Sequence, residues 1–429
     1  ALMKKANENF QNSGLAGRFY LPNGQIEIKN LDDIKTKVWP LLAGGLGAYR
    51  ELTKVADAWF RIAGDVNVVE TSAFSGLDGE SLNLFPALKN LSNDVSALGE
   101  ASDKLGSGDS RVGMLLPVSS DDYLAIKYEI EFWDKALKSI VNWLSSDRKI
   151  VVFLENSSEI RPTGGFWGSF AEIDVKNGEI VSITIRDVSE VDRTMSVKTV
   201  PPKPLQALIT NWRTADSNWF FDFRQSAQRA QKFMNFSEFY AKKGEKIDAV
   251  FAISPKVIED ILDVTGPVVV SSTKAQIGAE NFLPVIQEEV QSGHDIGSKN
   301  AKNILKEIFP ALIKKLDEFD ESERGRLFVN FADWAKAKDV MFWAEDSSLE
   351  SVFEERGVAG AVFEIPQKFE GDYLGIAVAN IGGGKSDYFM RQKINLESQI
   401  NPDGTVADHL EIVREHTAKK SDQWWNRVA

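Results

Sequence analysis

Apolar positions recur at helical spacing through the first third of the chain. Leu31, Ile34, Val38 and Leu41 fall on one face. After a break at Gly44-Gly45 the pattern resumes through Tyr49, Leu52, Val55, Trp59 and Ile62. Residues 82–105 and 121–145 repeat it, the latter through Tyr123, Ile126, Ile130, Trp133, Leu137, Ile140 and Leu144. Gly106 to Asp109 and Pro117 to Asp122 carry loop chemistry between them. Residues 1–147 are therefore expected to be mostly helical, as a subdomain packed on the rest of the chain or as a partner-binding bundle.

The period changes at Arg148. Ile150 to Leu154 is an apolar run of strand length, and Phe170 to Val175 and Ile180 to Ile185 flank an Asn177-Gly178 pair. Asn-Gly tolerates the positive φ of a tight hairpin turn, so these three runs are expected as neighbouring strands. Residues 222–243 read as helix and Ala249 to Ile253 as strand. Pro255 suits the first turn of a helix through Val257, Ile258, Ile261 and Leu262, and Gly266-Pro267-Val268 returns to strand. From about Ala279 to Phe342 the spacing is helical again. Tyr373 to Ala379 is an apolar run in a β-rich end, and Tyr388 to Ile400 alternates, with Pro402-Asp403-Gly404 turning the chain into Val406 to Val413. The fold class expected is α/β, a mixed central sheet flanked by helices. Residues 148–372 form its core domain, and residues 373–429 a C-terminal β-hairpin segment that completes or flanks it.

Charge and composition narrow the function. A net charge of −13 argues against a nucleic-acid partner, which needs a Lys/Arg surplus, and disfavours broad docking on anionic lipid. A local basic pocket for one phosphate stays open. The chain has no cysteine, which removes disulfides and thiolate chemistry, and its three histidines share no metal-ligand spacing. No run reaches the ~18 apolar residues of a membrane span, and the first residues are not a signal peptide. Both ends are abrupt, so the chain reads as a piece of a longer protein.

Residues 155–170 read Glu-Asn-Ser-Ser-Glu-Ile-Arg-Pro-Thr-Gly-Gly-Phe-Trp-Gly-Ser-Phe. In order after them come Asp216-Ser-Asn-Trp219 with Asp222-Phe223, Asp248 to Ile253, Thr265-Gly-Pro-Val268, and Asn380-Ile-Gly-Gly-Gly-Lys-Ser-Asp387. The set resembles the domain of unknown function 4012 family of bacterial envelope proteins. That resemblance implies a domain outside the cytoplasm behind an N-terminal membrane anchor absent from this chain. More remotely, the order of strands and arginines is similar to the LytR-CpsA-Psr family. Those enzymes move glycopolymers from a polyprenyl pyrophosphate carrier to the cell wall, using arginines and a carboxylate-bound Mg²⁺. Their motifs would fall on Arg161-Pro-Thr163 and on Ile185-Arg186-Asp187. The aspartates expected near Thr163 and around Ser157 are absent.

Arginine suits bidentate recognition of phosphate, and Arg161 precedes Gly164-Gly165, where backbone N–H groups can approach an anion. The alternative is that Arg161 pairs with Glu159 or Asp187 and pins a loop to the sheet. Arg186 ends an alternating strand, at the end of a sheet where ligands bind. Asp187, Asp192, Asp216 and Asp222 are oxygen donors of the kind Mg²⁺ takes, and equally ordinary turn and helix-cap residues. Trp167, Trp212 and Trp219 offer faces for stacking on sugars, or for core packing. The Gly382-Gly-Gly-Lys385 run lacks P-loop spacing and reads as a turn. The ligand set expected is Arg161, Thr163, Gly164, Gly165, Arg186, Asp187, Asp216, Trp219 and Asp222. Two functions fit these residues. One is recognition of an envelope glycan or its polyprenyl pyrophosphate carrier without assured catalysis. The other is a structural or adhesive surface protein that keeps the fold without the chemistry.

Overall fold

The computed structural model describes residues 18–21, 24–27, 46–74, 84–107, 120–272, 274–295, 303–369, 371–382 and 384–419. The predicted Leu31–Leu41 face and its Gly44-Gly45 break lie outside them. Strands β1 (Arg18–Leu21) and β2 (Gly24–Glu27) pair with each other within a region read as helical. Three long helices follow, α1 (Leu46–Phe74), α2 (Leu84–Ser107) and α3 (Ser120–Leu144). None of the helices is long and apolar enough to cross a membrane, among the described residues.

The core then builds up in alternation. Strands β3 (Arg148–Asn156), β4 (Phe166–Lys176) and β5 (Glu179–Asp187) lead to helices α4 (Val188–Asp192), α5 (Phe223–Phe236) and α6 (Glu238–Ala241). Strand β6 (Ala249–Ile253), helix α7 (Pro255–Thr265) and the short pair β7 (Val268–Val269) and β8 (Gln276–Ile277) come next. Helices α8 (Phe282–Asp295), α9 (Asn303–Asp317) and α10 (Glu321–Ala337) precede β9 (Val340–Ala344) and α11 (Ser347–Glu355). The chain ends in the hairpin of β10 (Met390–Ile400) and β11 (Val406–His416), which pairs with no strand of the central sheet.

The central sheet runs β5-β4-β3-β6-β9. Its middle pair β3–β6 is parallel and every other neighbour antiparallel, so the sheet is mixed, as the alternating pattern predicts. The predicted hairpin is there. Asn177 and Gly178 take φ of 51° and 81°, the two positive values that a primed turn requires.

Three readings need correction. Val340–Phe342 belongs to strand β9 rather than to a helix. Lys338 caps α10 in the left-handed conformation, and the apolar Val340–Ala344 run is then buried beside β6. Tyr373 to Ala379 makes no strand and lies as extended coil, where the backbone at Gly375 packs against the Phe221 ring. In α3 the buried stripe is rotated. Ile130 and Leu137 are inside as expected, but Ile126 and Trp133 are 43% and 49% exposed. Phe132 and Ala136 turn inward instead, because α3 is gripped on a second side by Val352 of α11.

Alternation along β3 divides the core in two. Val151 and Phe153 point to a layer built with Trp167, Phe170, Phe223, Met234 and Tyr240. Leu154 and Ile253 point the other way. They meet Ile258, Phe282, Leu283, Ile286, Leu305 and Ile308 from α7, α8 and α9.

Candidate functional site

Four of the sequence motifs meet at the carboxyl ends of the parallel strands β3 and β6. After Asn156 the chain makes a tight loop, closed by Glu159 N donating to Asn156 O at 3.0 Å and Phe166 N donating to Glu159 O at 3.0 Å. The 380–387 loop clasps it. Asn380 N donates to Ile160 O at 2.9 Å, Asp387 N to Ser158 O at 3.2 Å, and the Asp387 carboxylate accepts from Ile160 N at 3.0 Å. Arg161 locks the pair of loops. It donates to Asn380 O at 2.6 Å, Ile160 O at 3.1 Å and Glu159 Oε1 at 2.9 Å, and its guanidinium lies 5.1 Å from the Phe166 ring centre. Only 4% of Arg161 is exposed.

Behind the loops sits Glu155, fully enclosed. Its Oε1 accepts from Trp167 Nε1 at 3.2 Å and Asn218 Nδ2 at 3.3 Å, and the carboxylate is hydrogen-bonded by the Gly165 backbone. Asn218 also donates to Gly165 O at 2.9 Å and accepts from the Thr163 hydroxyl. Desolvation outweighs these donors and pushes the Glu155 carboxyl up to about 8, so it is largely protonated at neutral pH. The hallmark glycines are explained by this packing. A Cβ on Gly164, at φ of 143°, would run into the Glu155 carboxylate, and one on Gly165 would strike the Asn156 backbone at 2.5 Å.

Glu155 and Asn156 stand at the rim of a cavity of about 390 Å³. Its floor is Leu154 and Ile253, and its walls are Ile258, Phe282, Ile286 and Phe309 from α7, α8 and α9. The polar rim comprises Glu155, Asn156, Glu159, Ser169, Gln287 and Lys385. Asn156 and Gln287 face each other, Gln287 Nε2 donating to Asn156 Oδ1 at 2.8 Å. Burial raises the Glu159 carboxyl, while Arg161 and then Lys385 act against that shift. The size and the mix of apolar walls with few polar groups are those of a small-molecule site, at the strand ends where open α/β sheets bind ligands.

Residues 145–290, about a third of the chain, match the model of a family described as Protein of unknown function (DUF4012). This segment is similar to that family. No curated protein matches the chain. It is similar to the crystal structure of B. subtilis TagV, at 10% identity and a TM-score of 0.28 over 50% of this chain and 80% of that one. It is likewise similar to gbs0355 from Streptococcus agalactiae, at 13% identity and a TM-score of 0.31 over 52% and 76%.

The matched segment does not gather all the predicted ligand residues. Thr163, Gly164 and Gly165 shape the wall behind Glu155, and Arg161 pins the two loops together. Arg186 lies on the opposite face of the sheet. It stands across from Phe170, while its neighbour Ile185 packs on the cavity side. Its guanidinium donates to Glu172 at 3.0 Å, is 3.8 Å from Glu190 and lies over Phe239. Arg161 and Arg186 share no partner: Arg161 is held in the loop after β3, while strand alternation turns Arg186 away from Ile185 onto the aromatic face.

The aspartates have local duties. Asp187 caps α4 through Ser189 N, and Asp222 caps α5 through Arg224 N and pairs with the Arg224 side chain at 2.7 Å. Asp192 accepts from Thr214 N and Ala215 N, and Asp216 is 3.2 Å from Arg213. Among the described residues no group of three or more His, Asp or Glu side chains could hold a metal ion. The carboxylates present do not fit the Mg²⁺ site that the remote resemblance implies. Trp167 is a core residue stacked on Phe153 at 4.2 Å, and Trp212 is buried and donates to Asp216 O. Trp219 is half-buried at the end of the Asn218 turn. The residues that sequence reasoning missed are Glu155, Gln287 and Lys385. Glu155 and Lys385 lie inside two of the ordered motifs, but nothing in their spacing marks them as cavity-facing.

Proposed function

We propose that this chain works outside the cytoplasm in the bacterial cell envelope, tethered to the membrane, and recognises a polyprenyl-linked glycan precursor or the polymer made from it. The observation that carries the reading is the cavity. Apolar walls from α7, α8 and α9 offer burial to an isoprenoid chain, worth ~25 cal/mol per Å² removed from water. Gln287 and Lys385 are among the lining residues and would contact the isoprenoid's polar head. Three of the ordered motifs, 155–170, Asp248 to Ile253 and Asn380 to Asp387, contribute residues to the cavity's lining. The reading is recognition. The aspartates expected near Thr163 and around Ser157 are absent, and Asp187, Asp192, Asp216 and Asp222 are engaged in helix caps, backbone hydrogen bonds and ion pairs, so no transfer step is derived.

The test is direct binding of geranylgeranyl pyrophosphate, a soluble short isoprenoid, by calorimetry. Saturable binding to the wild type, lost in Ile286→Trp with an unchanged circular dichroism spectrum, is expected. Absence of binding by either protein, or equal binding by both, would remove the cavity from the reading.

A further inference from the structure

The terminal hairpin is an amphipathic ribbon with an unusual edge. In register, Ile394 faces Ile412, Leu396 faces Leu410 and Ile400 faces Val406 on one side of the ribbon, interleaved with Gln392 opposite Arg414 and Ser398 opposite Asp408. The other side carries Arg391, Lys393, Asn395 and Glu397 opposite Glu415, Val413, Glu411 and His409. Both sides are exposed, Ile394 at 40% and Ile400 at 76%. A two-stranded ribbon is marginal in water, and three or more strands with a shared apolar face are needed for stability. Strand β10 runs straight for 11 residues without a bulge or a proline, and among the described residues its outer edge pairs with no strand. Such an edge is a template for another strand.

We propose that β10 pairs antiparallel with β10 of a second copy about a two-fold axis at Asn395, giving a four-stranded sheet ordered β11-β10-β10-β11. The sequence of β10 is complementary to itself in that register. Met390 then faces Ile400 and Ile394 faces Leu396 on the apolar side, each pair occurring twice. On the polar side Lys393 faces Glu397, again twice, and Arg391 faces Gln399. Directly opposed unlike charges and apolar pairs each stabilise a sheet, and like charges destabilise it. Centring the pairing on Ile394 would set Gln392 against Leu396 and Met390 against Ser398. Centring it on Leu396 would set Gln392 against Ile400 and Ile394 against Ser398. The β11 edge is worse, because the register that matches its apolar residues opposes Glu411 to its own copy. A two-fold pairing of β10 also closes, whereas β10-to-β11 pairing between copies would run on as a filament.

The experiment uses the full 429-residue chain, which has no cysteine of its own. Sedimentation equilibrium is expected to show a monomer–dimer equilibrium. Lys393→Glu and Glu397→Lys should each weaken the dimer by roughly tenfold or more, since each sets like charges against one another twice. The double variant should recover wild-type association, because the opposed charges are again unlike. A single Asn395→Cys should cross-link copies on oxidation, since a residue on the axis meets its own copy, and Gln399→Cys should not. A monomer at all concentrations, filaments in place of dimers, a double swap no better than the singles, or equal cross-linking at both positions would each overturn the proposal.

Discussion

Phe153 and Leu154 are neighbours on β3 and meet opposite surroundings. Phe153 is fully buried, stacked on Trp167 at an interplanar angle of 4° and within 6.0 Å of Phe170. Leu154 looks across a cavity at aliphatic side chains of α8 and α9. The aromatic face is filled by rings of the strands themselves, Phe153, Trp167 and Phe170, packed with Phe223 of α5 and Tyr240 of α6. The other face, beneath α7, α8 and α9, encloses the cavity of about 390 Å³. Closely fitted interiors give stability, and a gap of this size in an apolar layer forgoes the contacts that would fill it. The difference sets a filled layer on one face of the sheet against a cavity on the other.

The largest effect expected comes from opening the filled face. Phe153→Ala should cost about 3–5 kcal/mol in denaturant unfolding, whereas Ile286→Ala beside the cavity should cost nearer ~2 kcal/mol, because part of its surface already faces empty space. Equal losses would remove the contrast between the faces.

Glu155 lies on the seam between them, and its titration probes the seam. In the unfolded chain it ionises near 4.5, and in the folded protein it keeps its proton up to about 8. Between those values the folded state binds more protons, so stability is full below about pH 4.5 and falls as pH rises through 8. From pH 5 to 8 the loss should be roughly 3–4 kcal/mol from this group, at about 1.36 kcal/mol per pH unit. Glu350, raised to about 7, and Asp65, raised to about 6, add losses of the same sign. Glu155→Gln should flatten the decline between about pH 5 and 8. An unchanged slope would mean that Glu155 ionises normally.

Arg161 separates the pin from the ligand contact. Arg161→Ala leaves Glu159 buried without its cation and frees the 380–387 loop, and should cost about 3 kcal/mol. Hydrogen exchange should quicken at residues 158–162 and 380–387 together. A loss of ligand binding with no change in stability would instead make it a direct contact. The smallest effect is reserved for filling the gap. Ile286→Trp should change stability by no more than about 1 kcal/mol, in contrast to the roughly 1–3 kcal/mol that overpacking costs in a full core. A larger loss would show that the cavity has no room.

Much of this molecule is legible in its residue pattern, for local reasons. Period-two runs and the Asn177-Gly178 pair locate β3, β4, β5 and their turn, because both signals depend only on neighbours along the chain. Pro255 marks the start of α7, and Asp222 stands where a cap belongs. What fails is decided at a distance. Val340–Ala344 is a strand because β6 offers an edge beside it, and in isolation its apolar run is ambiguous between helix and strand. Arg161 and Arg186 look alike in sequence. Strand alternation and the 380–387 loop send one to a loop junction and the other to the aromatic face. Glu155 carries no local signal of a site residue, because its protonation is set by burial behind Trp167 and Asn218, which lie 12 and 63 residues away in the chain. The sequence by itself determined the elements, the acidic and cysteine-free surface, and the set of motifs. Only the tertiary structure decided which motif side chains face the cavity, because that depends on which layers close over the strand ends.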